Sequence, residues 1–100
     1  MKPNERYQWI VDYLSDNPHP GNSVDVLDRH FVDAYTEACK PRVCLVMPYG
    51  ANKVPQLGRD LSKMYDMGML KRYIIGIDGL AGQGFPRWVY SYRLPKITKV

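Results

Sequence analysis

An α+β fold is what this chain predicts. Three stretches carry apolar residues at the three-to-four spacing of a buried helix face. After Gly68 the pattern changes to two runs of β-forming residues separated by a glycine-rich turn. One hundred residues suffice for a single domain, residues 1–100, with a modest core.

The first helix is predicted from Pro3 to about Asp16. Tyr7, Ile10, Val11 and Leu14 recur at i, i+3, i+4 and i+7. Pro3 suits a first turn, where its missing N–H costs nothing. The run Asn17-Pro18-His19-Pro20-Gly21-Asn22 breaks the helix. A second helix is expected to start at Ser23, a favourable N-cap, with Asp25 in the first turn complementing the helix dipole. Its buried stripe would be Val24, Leu27, Phe31, Ala34, Tyr35 and Ala38, and Lys40-Pro41 ends it.

Val43–Met47 is a short apolar run that suits either a strand or an irregular buried segment. Asn52 would then cap a third helix, Lys53–Met67, with Pro55 tolerated in its first turn. Val54, Leu57, Leu61 and Met64 form its apolar stripe, and Gly68 stands where a left-handed cap belongs. The hairpin would pair residues 70–77 with 87–94 around the tip Asp78–Pro86, which holds three glycines. Pro95 ends the second strand, leaving a basic tail at about residues 95–100.

Charge is unevenly placed along this order. Residues 1–38 hold three Lys or Arg against seven Asp or Glu, a net of −4. Residues 39–100 hold eleven against Asp60, Asp66 and Asp78, a net of +8. A strongly basic second half suits a polyanion on one side of the molecule. If the apolar stripe of the third helix faces the core, Lys53, Gln56, Arg59, Asp60 and Lys63 face away from it. A helix fits the major groove of duplex DNA, where Arg or Lys reads guanine and Gln reads adenine. The plain alternative is a solvated helix face, and the basic hairpin that follows tips the balance toward DNA.

Within the hairpin, strand alternation sorts Trp88, Tyr90, Tyr92 and Leu94 onto one face and Arg87, Val89, Ser91 and Arg93 onto the other. The aromatic face is expected to be core, because a small domain needs that burial. The arginine face and the tip are then the candidates for phosphate contact. Binding of single strands by exposed aromatics is the lesser alternative.

The stretch Leu57-Gly58-Arg59-Asp60-Leu61-Ser62-Lys63-Met64-Tyr65-Asp66-Met67-Gly68-Met69-Leu70-Lys71-Arg72 resembles the end of a winged helix-turn-helix domain. Tyr92-Arg93-Leu94 resembles the close of its second wing strand, so the likeness covers about residues 50–95. The chain is also similar to small winged-helix proteins encoded by phages and prophages. It departs in the stretch Lys40–Ala51, which is longer than a tight helix-turn-helix turn. The resemblance implies three helices and a C-terminal two-stranded wing, binding of double-stranded DNA, and regulation of transcription. Together with the charge pattern it nominates Asn52, Lys53, Gln56, Arg59 and Lys63 on the helix and Lys71, Arg72, Arg87 and Arg93 on the wing.

Other classes find little in the residues. Gly79-x-x-Gly82-x-Gly84 lacks the Lys-Ser/Thr and the helix of a phosphate-binding loop. The acids of the first half are spaced as solvated helix surface, and neither His19 nor His30 sits beside an evident nucleophile. Cys39 and Cys44, with Pro41 between them, have neither a disulfide framework nor zinc-knuckle spacing. Catalysis, a metal, a cofactor and a small-molecule substrate are therefore not expected. No apolar run reaches the roughly 20 residues of a membrane span, and no leader is evident. The expected address is the cytoplasm, and a homodimer is compatible with it. The rival function is a winged-helix module that docks proteins through the acidic second helix or Val43–Met47.

Overall fold

The computed structural model describes residues 1–16, 23–43, 45–46, 52–76 and 88–95. Among these, helix α1 (Pro3–Asp16), strand β1 (Ser23–Val24), helix α2 (Arg29–Cys39), strands β2 (Leu45–Val46) and β3 (Asn52–Lys53), helix α3 (Pro55–Asp66) and strands β4 (Lys71–Gly76) and β5 (Trp88–Arg93) follow in order. The fold is α+β, with three helices and an antiparallel three-stranded sheet in the order β1-β5-β4. β2 and β3 form a separate antiparallel pair. The predicted tip 78–86, Arg87 and residues 96–100 of the tail lie outside the described residues.

The sheet has three strands where the sequence predicts two. Ser23 and Val24 do not open a helix; they pair with Arg93 and Tyr92 of β5. Asp25 is likewise not a first-turn residue. Its carboxylate accepts a hydrogen bond from the Leu27 N–H at 2.8 Å and turns the chain toward α2. The N-cap of α2 is Asp28, whose side chain accepts from the Phe31 N–H at 3.2 Å. Burial pushes the Asp25 pKa above its ordinary value, since the charged form loses water.

α3 also starts later than predicted. Asn52 and Lys53 belong to β3, opposite Val46 and Leu45, and the N-cap is Val54 with Pro55 as first helical residue. The end follows the prediction. Gly68 takes φ +77, its N–H donates to the Tyr65 carbonyl at 3.0 Å, and the Met69 N–H donates to Met64 at 2.8 Å. Those two bonds form a Schellman cap, and a residue without Cβ adopts that φ freely.

The three helices pack Ile10 and Leu14 of α1, Phe31 and Tyr35 of α2, and Leu57, Leu61 and Met64 of α3 into one core. Val24, Leu70 and Tyr92 close it from the sheet side. Trp9 and Tyr13 of α1 stack against Phe31, filling the seam between α1 and α2 with aromatic surface. β4 pairs with β5 in the register Lys71↔Arg93 to Gly76↔Trp88 and carries the hairpin past the helices. Tyr73, Ile74 and Ile75 are accordingly exposed.

Candidate functional site

α3 divides into an inner and an outer face. Leu57, Leu61 and Met64 are buried, and Arg59 and Lys63, one turn apart, are exposed. The outer face, through Pro55, Gly58, Arg59, Ser62, Lys63 and Asp66, forms one wall of a groove of about 690 Å³. Trp88, Tyr90 and Tyr92 of β5 form the opposite wall, and Val26 also lines it. Helix and hairpin therefore present one continuous surface.

The aromatic face of β5 is only partly core, which corrects the prediction. Tyr92 is 4% exposed and belongs to the core, Tyr90 packs against it, and Trp88 is 50% exposed. The rings touch in series edge-to-face, Tyr92 to Tyr90 at 6.2 Å and Tyr90 to Trp88 at 4.8 Å. Burial declines along the strand because the hairpin outruns the helices that cover its base. On the other face, Val89 and Ser91 are buried as well.

The predicted cations split into two groups. Arg72 shares the groove-side face of the sheet. Its guanidinium lies 3.9 Å from the Tyr65 ring centre and 4.2 Å from that of Tyr90, joining the end of α3 to β5 by cation–π contact. Lys71 and Arg93 are cross-strand partners and so share the opposite face. There Arg93 donates to the Tyr73 hydroxyl at 2.7 Å. Lys53 is exposed on β3, away from the predicted helical position. Asn52 lies in the same strand, and Arg87 falls outside the described residues. Arg42, in the long connection and absent from the sequence-based set, lines a recess of about 280 Å³ with Pro55, Gln56 and Arg59 at the start of α3.

Two polar residues of α3 hold the fold instead of facing outward. Asp60, predicted to face solvent, is 3% exposed. Arg6 of α1 grips it with both ends of its guanidinium, Nε to Oδ2 at 2.7 Å and Nη2 to Oδ1 at 3.0 Å. The Tyr35 hydroxyl of α2 donates to Asp60 Oδ2 at 2.5 Å, and Gln56 Nε2 donates to the Tyr35 oxygen at 2.9 Å. The amide of Gln56 is thus engaged inside the domain. Hydrogen bonding to Asp60 pushes the Arg6 pKa up, and burial does the same for the Tyr35 phenol, so Arg6 stays charged and Tyr35 neutral. One signal for Asp60 was available: it sits three residues after Leu57 and four before Met64, flanking the stripe.

Gly58 is the fourth residue of α3, and a Cβ built there meets nothing within 4 Å. No internal contact requires glycine, which costs a helix roughly 0.5–1 kcal/mol relative to alanine. Gly58→Ala is therefore expected to stabilise the domain by about that amount in urea denaturation. A lower midpoint would contradict the placement of this face on the groove.

Among the described residues no three His, Cys, Asp or Glu side chains converge as a metal site, and no helix is long and apolar enough to cross a membrane. Cys39 is a free, buried thiol whose pKa burial raises, which keeps it out of its reactive thiolate form. No family model matches this chain, and neither a characterised protein nor a solved structure is found to be similar to it.

Proposed function

We propose that this chain is a winged-helix domain that binds duplex DNA, as a small regulator of transcription does. α3 enters the major groove, and the β4–β5 hairpin, the wing, lies against the adjoining backbone. The observation that carries this reading is the shared surface of α3 and β5, with Arg59 and Lys63 exposed on the helix wall. The sheet order β1-β5-β4, with α3 leading directly into the hairpin, agrees with a winged helix. Arg59 projects from the first half of α3, the part of such a helix that makes most base contacts. Arg42, which lines a recess with Arg59, Lys63, one turn further along α3, and Arg72 of the hairpin serve as phosphate partners. Gln56 drops out of the base-reading set because Tyr35 holds its amide.

Three phosphate contacts release about three counterions, so affinity for any duplex should fall roughly 40-fold between about 50 and 200 mM salt. Lys63→Ala should weaken binding to all sequences alike, since a phosphate contact carries no base information. Arg59→Ala should lose about 1–3 kcal/mol of discrimination between sites. Fluorescence anisotropy of labelled duplexes at two salt concentrations measures all three. A folded wild type that binds no duplex overturns the DNA reading. The protein-docking alternative would then rest on the exposed apolar side chains of the hairpin's groove-side face, Trp88 and Ile74, the latter 67% exposed.

A further inference from the structure

We propose that the groove between α3 and β5 receives an unpaired nucleotide of a DNA strand, its base stacked on Trp88 and its phosphate facing Lys63. The proposal rests on the DNA-binding reading and narrows it to a substrate class: duplex DNA adjoined by unpaired bases, as at an overhang or a fork.

Three features of the groove point to this occupant. The first is Trp88. Its indole is half-exposed on a strand whose other groove-side aromatics, Tyr90 and Tyr92, are drawn toward the core. The edge-to-face contact with Tyr90 fixes the indole without enclosing it. An aromatic ring held firmly and left open is the platform on which bases of any identity stack.

The second feature is charge. Arg59 and Lys63 stand on the facing wall, and the only ion pair among the described residues is the remote one between Arg6 and Asp60. Among the described residues neither is held by a carboxylate, so Lys63 can meet the phosphate of a strand whose base lies against β5 while Arg59 faces the adjoining duplex. A wall of aromatic rings opposed by cations complements the two halves of a nucleotide, its π-face and its phosphate. An apolar peptide would use only the first.

The third feature is Gly58. It sits on the helix wall between Pro55 and Ser62, where a side chain would project into open space. Its lack of a side chain serves no contact within the domain and keeps the groove wide for a planar ring. A paired base cannot enter, because its Watson–Crick edge and both stacking faces are already occupied in the duplex. An unpaired one carries no such cost.

The test is a titration of the full chain with a blunt duplex and with the same duplex bearing a short single-stranded overhang, at one salt concentration. The ratio of the two affinities is the readout. Wild type should prefer the overhang by about 5- to 150-fold, the range of one stacked base. Trp88→Ala should bring the ratio close to one, and Trp88→Phe should keep most of it. Circular dichroism checks that both variants fold, as expected for a side chain outside the core. Tryptophan emission should be quenched by the overhang substrate in wild type and much less so in Trp88→Phe, where Trp9 alone reports. Equal affinity for the two substrates, or a preference that survives Trp88→Ala, overturns the stacking site and leaves duplex binding standing. Absence of binding to either substrate overturns both.

Discussion

Asp60→Ala is expected to cost about 3–5 kcal/mol of unfolding free energy, the range for removing one partner of a buried ion pair. The substitution leaves the Arg6 guanidinium, 15% exposed, without its counter-charge, and it strips the Tyr35 hydroxyl of its acceptor. Because Arg6 keeps some access to water, the lower end of that range applies. Asp60→Asn should cost less, since an amide oxygen still accepts one hydrogen bond. Replacing Arg6 and Asp60 together by Met and Leu should recover much of the loss, because a paired apolar substitution leaves no unpaired charge. Urea denaturation of the single and double variants forms the cycle that measures the coupling. An Asp60→Ala midpoint equal to wild type would mean that the three-helix network does not form in solution. The same network ties α1 and α2 to α3 just below its outer face, so its loss should also weaken DNA binding, through disorder of α3.

Leu61→Ala is the second large effect. Leu61 is fully buried in the core that the three helices share, and truncation should cost about 2–5 kcal/mol through lost burial and the cavity it leaves. For a domain of this size the thermal midpoint should drop by more than about 10 °C. Lys63→Ala, two residues along the same helix and exposed, should stay within about 0.5 kcal/mol of wild type. The contrast is what matters. If both variants unfolded alike, the inner and outer faces of α3 would be wrongly assigned, and with them the surface offered to DNA.

The sequence by itself determined the elements whose causes are local. α1 spans Pro3–Asp16 as its periodicity predicts, and Val54, Leu57, Leu61 and Met64 are all buried. Gly68 caps α3 with a positive φ, and β4 and β5 fall within the two predicted runs. In each case the determining contacts lie within a few residues along the chain, where helix period, turn chemistry and strand alternation are readable.

Tertiary structure decided the rest. Ser23 and Asp28 are both acceptable N-caps, and only pairing of Ser23 and Val24 with the far end of the chain assigns the first to a strand and the second to α2. Asn52 is likewise claimed by its partner across β2–β3. Asp60 is a polar residue beside an apolar stripe, and its burial depends on an arginine fifty-four residues away. The groove has the same origin. Arg59 and Trp88 are legible as a helix cation and a strand aromatic, but a shared cavity between them exists only once the hairpin folds back along α3. Local patterns state which side of an element is apolar. Which partner covers that side, and how far along the strand the cover extends, is set by packing between segments distant in sequence.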